Sequence, residues 1–294
     1  MAKKDSNVVV PMFDRDHTFE EARLDVSHLA AGQQARPQQQ PRVERDLTGR
    51  SKALMAIGAG ATGKTTLLRW VCEQALLRDS GAGVILATVD PINRELGQYF
   101  PTAVAPKSSE PAQVTAWLER LLTTLMEDNQ SAAIDFGGGD TSLGRLVHQI
   151  PDLATMLDEA HVAPVTLYTL SPRPSDLTPL AAMEAAGFKP EATALILNEG
   201  RADPTREIGA EFAQIRRHSV YKAALDRGAV EIWMPRLYAA KAIEDRHIRF
   251  THAQDGTMPE GRTDPPLGMF DRSRTRHWLR AMDEAFAPIS SWLL

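Results

Sequence analysis

Gly58-Ala59-Gly60-Ala61-Thr62-Gly63-Lys64-Thr65 fills the pattern G-x-x-x-x-G-K-[ST] completely. The three glycines let the main chain wrap closely around a phosphate with no Cβ in the way. A helix starting at Lys64 adds unpaired N–H groups and a positive dipole end, both of which favour a polyanion. Lys64 is then placed to bridge β- and γ-phosphate oxygens and Thr65 to ligate Mg2+. The other loop positions, Ala59, Ala61 and Thr62, together with the neighbouring Thr66, count as nucleotide contacts. The flanks suit this reading, because the apolar run 53–57 comes before the loop and 65–71 continues it with helical character. The plain alternative is a glycine-rich turn with no ligand, which would have to match a full motif by accident. The chemistry implied is binding of a nucleoside triphosphate with Mg2+.

Two carboxylates stand where they could complete such a site. Asp90, followed by Pro91, closes the apolar run 84–89, and Asp135, followed by Phe136-Gly137-Gly138-Gly139, closes another. In a parallel sheet the strand C-termini share the edge where ligands bind, so both should face the phosphates. Asp135 becomes a direct or water-bridged Mg2+ partner, and Gly138 in D-x-x-G can aim an amide at the γ-phosphate. For either aspartate alone, an ordinary strand-end turn would explain the residue as well.

These residues need a scaffold, and the rest of the chain supplies its pattern. Apolar runs of strand length (53–57, 84–89, 132–136, 165–170, 192–197 and 230–234) alternate with helical stretches. The helical stretches are 64–77, 114–126, 177–186, 205–227 and 237–246, with a last helix over 273–286 after a Pro- and Gly-rich loop at 256–270. Strand then helix, repeated, predicts an α/β fold of three layers, α/β/α, around a mostly parallel sheet. Before it, residues 1–50 read as a flexible leader, rich in Gln, Pro and Arg between 33 and 42, with one short helix at 19–31 that could dock a partner. The expected organisation is a leader, 1–50, and one domain, 51–294.

In this arrangement the chain resembles the ParA/MinD-like ATPases of the SIMIBI branch of P-loop proteins. The marks agree in order over 52–246: the phosphate loop, Asp90-Pro91, Asp135-Phe-Gly-Gly138, Asn198 closing an apolar run, and Met234-Pro235-Arg236 closing a later one. The resemblance implies that Asp90 is a switch carboxylate near the attacking water and that Asp135 serves Mg2+. It also implies that Asn198 and the backbone around Pro235 contact adenine, and that ATP can bring two copies into a homodimer. Most of the family carries a second lysine inside the loop that reaches a partner's phosphates, where this chain has Ala59. Thr88 likewise stands where an aspartate is common. The expectation is an atypical, slowly hydrolysing switch ATPase that works with a partner protein in plasmid partition, conjugal transfer or intracellular positioning.

Other readings are weaker. A GTPase of this branch would read guanine with N-K-x-D, whereas Asn198-Glu199-Gly200-Arg201 lacks both the lysine and the aspartate. A small-molecule kinase or ligase-type transferase using ATP remains the second class, to be told apart by a phosphorylated product. The eight histidines form no H-E-x-x-H or similar cluster. Arg272, Arg276 and Arg280 recur every four residues on the last helix, by default a solvated face. By the resemblance they could instead track the phosphates of non-specific DNA. No global field supports that, since 33 basic against 38 acidic residues leave a net charge of −5. A single cysteine, Cys72, excludes a disulfide framework, and no apolar run is long enough for a membrane span. A cytoplasmic protein is expected.

Overall fold

The computed structural model describes residues 45–79, 83–90 and 95–294. The apolar runs become β1 (Ser51–Ile57), β2 (Val84–Thr88), β3 (Ser131–Asp135), β4 (Val162–Leu170), β5 (Ala192–Asn198) and β6 (Val230–Met234). They pair in the order β2-β3-β1-β4-β5-β6, and every pairing is parallel. Parallel neighbours cannot be joined by a tight turn, so helices cross between them. These are α1 (Lys64–Asp79), α2 (Glu95–Tyr99), α3 (Pro111–Asp128), α4 (Ser142–Gln149), α5 (Leu153–Glu159) and α6 (Thr178–Ala185). The chain continues through α7 (Ile208–Glu211), α8 (Ala213–Arg217), α9 (Ser219–Asp226), α10 (Ala240–Glu244), α11 (Phe250–Asp255) and α12 (Met269–Phe286). The result is the expected three-layer α/β/α fold, with the glycine-rich loop between β1 and α1.

Alternate residues of a strand point to opposite faces, so a sheet covered on both sides needs near-continuous apolar strands. All nine residues of β4 are buried. Along β1, Leu54 and Ala56 join a core with Trp70, Phe250, Trp278 and Phe286. Ala53, Met55 and Ile57 join the opposite core with Leu118, Leu146, Leu180 and Tyr221. Helices α1, α11 and α12 therefore cover one face, and α3, α4, α6 and α9 the other. In α3 the sequence sets both ends: Pro111 occupies the first turn, and Asn129 stops the helix in a left-handed conformation with its N–H on the Leu125 carbonyl.

Several stretches differ from the sequence expectation. The single helix expected over 205–227 is broken into α7, α8 and α9. Phe212 leaves helical geometry (φ −88°, ψ 1°), and His218 is extended (φ −67°, ψ 138°) and caps α9 by accepting the Val220 N–H on Nδ1 at 3.3 Å. The stretch 237–246 keeps helix only in α10, and the last helix starts at Met269 rather than 273. Residues 45–50, assigned to the leader by composition, pack onto the domain. Leu47 is fully buried with its N–H on Ser291 Oγ at 3.2 Å, and Arg45 and Arg50 pair with Asp158 at 2.6 and 3.1 Å. The rest of the leader, including the helix expected at 19–31, lies outside the described residues, as does Pro91.

Candidate functional site

All the strand ends named by the sequence meet at one edge of the sheet. The loop from Gly58 to Thr65 leaves β1 there and turns into α1. Two residues make the turn in left-handed backbone, Ala61 (φ 60°) and Gly63 (φ 101°). At Gly63 a side chain is excluded twice, by its φ and because a Cβ would collide with the Asn198 amide nitrogen. The loop is bolted from both sides. Thr62 Oγ1 donates to the Ala59 carbonyl at 2.9 Å and shares a 2.7 Å hydrogen bond with Thr169 Oγ1 at the end of β4. Asn198 Nδ2 donates to the Thr62 carbonyl at 2.8 Å, while its Oδ1 accepts the Gly200 N–H at 2.9 Å. The loop is thus held in shape by neighbouring strands, as a preorganised phosphate cradle requires.

Lys64 is 7% exposed, and its Nζ donates to the carbonyls of Gly58 and Ala59 at 3.1 and 2.9 Å. Burial pushes its pKa below the ordinary lysine value, while Asp135 and Glu95 pull it back up. Asp135 closes β3 and is equally buried. Its carboxyl is pushed up to about 6, first by burial and then by Glu95 and Asp90, against the opposing pull of Lys64 and the Thr65 hydroxyl. Thr65 Oγ1 donates to Asp135 Oδ2 at 3.1 Å, so the two expected Mg2+ residues stand side by side. No group of three or more His, Cys, Asp or Glu among the described residues could hold a metal alone. Mg2+ here would complete its shell with phosphate oxygens and water, which is its usual habit.

A cavity of about 540 Å³ opens in front of this pair, lined by Lys64, Thr65, Asp90, Asp135 and Gly138 among others. Asp90 lies against the D-x-x-G turn, where a Cβ on Gly137 would come within 3.0 Å of its Oδ2. Gly138 touches the glycine-rich loop itself, and a Cβ there would meet Gly60 N and Cα at 2.6 Å. The residues fit a Mg2+-bound nucleoside triphosphate: a donor-rich cradle, a buried ammonium, a hydroxyl beside a carboxylate, and a glycine turn against the γ-phosphate position.

Two expected adenine contacts do not line this cavity. Asn198 is 5% exposed and is engaged with the loop as described. The Pro235 carbonyl accepts the Trp278 indole N–H at 2.9 Å. The lining also includes residues that sequence reasoning missed, among them Arg69, Glu95, Tyr99 and His247. Arg69 is 3% exposed, with its guanidinium 3.4 Å from the Tyr99 ring centroid and 4.4 Å from that of Phe250. One of its amines donates to the Ile248 carbonyl at 2.9 Å. The three arginines spaced four apart on α12 are not equivalent. Arg272 Nε is buried under Gly256, and Arg276 donates to the Gln254 carbonyl at 3.3 Å. Among the described residues Arg280 bonds only to His277, at 3.1 Å.

No protein-family model matches the chain, and no curated protein matches it. Solved structures similar to it include chloroplast FtsY from Physcomitrella patens, at 15% identity over 80% of this chain and 66% of that one, with a TM-score of 0.39. A cell division protein ftsY from Thermotoga maritima matches at 14% identity over 82% and 73%, with a TM-score of 0.41. The signal recognition particle receptor FtsY from Elizabethkingia anophelis in complex with GDP matches at 13% over 66% and 60%, with a TM-score of 0.39. This chain spans roughly three fifths to three quarters of their lengths. What it binds is therefore read from its own residues. No helix among the described residues is long and apolar enough to cross a membrane.

Proposed function

We propose that the chain is a cytoplasmic ParA/MinD-like switch that binds ATP with Mg2+ and hydrolyses it slowly, in plasmid partition, conjugal transfer or a related positioning task. The observation that carries the reading is the Thr65–Asp135 hydrogen bond at 3.1 Å beneath a complete glycine-rich loop. It is the arrangement a P-loop uses to hold Mg2+ against β- and γ-phosphates. In the proposed site Lys64 binds the phosphates, Thr65 and Asp135 hold Mg2+, and the Gly138 amide reads the γ-phosphate. Asp90 orients the attacking water.

Adenine is favoured over guanine because Arg201 stands where guanine reading needs an aspartate. An adenine contact by Asn198 would require its carboxamide to leave Thr62 and Gly200. Ala59 supplies no cation to a second copy, so transition-state charge is less neutralised and turnover falls below the roughly 1–100 s⁻¹ of dedicated phosphoryl-transfer enzymes. A homodimer around ATP, a stimulating partner protein, and weak DNA contact through Arg276 and Arg280 complete the proposal.

Equilibrium binding of labelled ATP with Mg2+, competed by cold ATP and by GTP, tests the reading directly. Lys64→Ala should abolish binding or turnover, because it removes the charge-assisted contact to the phosphates. Unchanged affinity and turnover in that variant would end the nucleotide assignment, and equal competition by GTP would end the adenine assignment.

A further inference from the structure

A second cavity lies behind the D-x-x-G turn, in the cleft between α4 and α6. At about 560 Å³ it is as large as the candidate nucleotide cavity, and Phe136, Gly137 and Gly138 line both. Its interior is apolar, built from Ile57, Phe136, Leu143, Pro179 and Met183. A guanidinium and an imidazole stand at its rim, those of Arg145 and His148, three residues apart on the exposed side of α4. Neither side chain has a hydrogen-bond or ion-pair partner among the described residues. The rim's carboxylate, Asp140, does not neutralise them. Its Oδ1 accepts the Ser142 N–H at 2.9 Å and the Ser142 hydroxyl at 2.7 Å, which ties it to the start of α4.

We infer that this cleft is a binding site for a small molecule with an apolar body and one anionic group. Ligand sites have this volume and this make-up, an apolar interior with a few polar groups that fix orientation. The polar groups select the head group: an uncompensated guanidinium and an imidazole hydrogen-bond donor favour an anion, and the rim's one carboxylate, Asp140, is engaged by Ser142. The distribution of apolar atoms argues for a small molecule over a macromolecule. A protein-docking face presents apolar anchors on the outside. The exposed large apolar side chains among the described residues, such as Leu77, Tyr238, Met269 and Phe270, lie elsewhere. Here the apolar surface is inside the cleft and the polar groups surround it. The shared wall links the two cavities. A ligand that braces the turn from behind changes nucleotide affinity, and nucleotide changes ligand affinity by the same factor.

Decanoate and its neutral counterpart decanol, titrated calorimetrically into the full chain, test the proposal. Decanoate should bind, with decanol roughly tenfold weaker, which is the loss of one good charge contact. The double variant Arg145→Ala/His148→Ala should bind the two equally, since both residues are exposed and their loss leaves the core intact. Ala182→Trp, on the exposed side of α6 at the mouth of the cleft, should lose both ligands while keeping wild-type thermal unfolding and nucleotide binding. The inference does not rest on the nucleotide reading, because Lys64→Ala should leave decanoate binding unchanged. It fails if decanoate does not bind or if Ala182→Trp binds it as well as wild type does. It also fails if sedimentation shows a dimer that Ala182→Trp dissociates, which would give the cleft to a second copy.

Discussion

Lys64 and Asp135 are oppositely charged, buried, and shifted towards their neutral forms by burial. A phosphate beside Lys64 and Mg2+ beside Asp135 would each favour the charged form that burial disfavours, so the site is electrostatically prepared for a ligand that brings both. Asp90 is different. It is half-buried against Gly137 rather than beside Thr65, which places it near the turn that would face the γ-phosphate. Asp90→Ala should therefore slow hydrolysis by about 10²- to 10⁴-fold, the usual size of a proton-handling or water-orienting role, and leave ATP affinity nearly unchanged. Single-turnover hydrolysis and equilibrium binding on the same variant separate the two. Joint loss would make Asp90 a metal or structural residue, and a wild-type rate would pass the role to Asp135. The cradle, Thr65 and both aspartates were legible because motif spacing and strand ends carry them. Arg69, Tyr99 and His247 were not. They reach the cavity from α1, α2 and the segment after α10, and no spacing in the sequence links positions 69, 99 and 247.

The elements that were legible are those whose apolar pattern is strong on its own. All six strands were visible as apolar runs bounded by turn residues, and α1, α3 and most of α12 as long helical patterns. The short helices α2, α4, α5 and α11 were missed, since five to eight residues hold little periodicity and depend on tertiary support. In α11 that support can be named. Glu73 of α1 is 4% exposed and accepts the Phe250 N–H at 2.8 Å and the Thr251 N–H at 2.9 Å, so a side chain from another helix caps its start. Burial raises the Glu73 pKa above its ordinary value, against the pull of these two amides and of Arg69. For an acid with a raised folded value, the contribution to stability is complete below the unfolded pKa of about 4.3 and is lost as pH rises through the folded one. Glu73→Gln should flatten that part of the stability–pH curve. It should also lower stability by about 1–3 kcal/mol, because an amide can accept only one of the two N–H groups. Thermal unfolding of both proteins across this range measures the two effects, and parallel curves would show that Glu73 does not titrate there.

At the scale of the whole molecule, the charge balance and the packing of α12 together limit what its arginines can do. The net charge of −5 gives no general attraction to a polyanion, so DNA contact must come from a local strip. By sequence, Arg272, Arg276 and Arg280 form one. In the structure Arg272 is held under Gly256, and Asp283 sits with Arg276 and Arg280 around a single surface cavity. α12 is first a packing element. Trp278, Met282 and Phe286 fill the core, and the Trp278 indole ties the helix to Pro235 after β6. Of that strip, two arginines are left whose guanidinium groups can reach phosphates, Arg276 and Arg280. Each phosphate contact contributes about −0.9 to the slope of log affinity against log salt, so non-specific duplex binding should show a slope of about −2. Binding this weakly salt-dependent is weak binding, detectable at low ionic strength and lost near physiological salt. Arg276→Ala/Arg280→Ala should abolish it, whereas Arg272→Ala should leave the slope unchanged and lower stability. Fluorescence anisotropy of a labelled duplex over a salt series gives the slope directly. A slope steeper than about −4 in the wild type would mean that more than four phosphates are contacted, and the DNA surface would then have to lie away from α12.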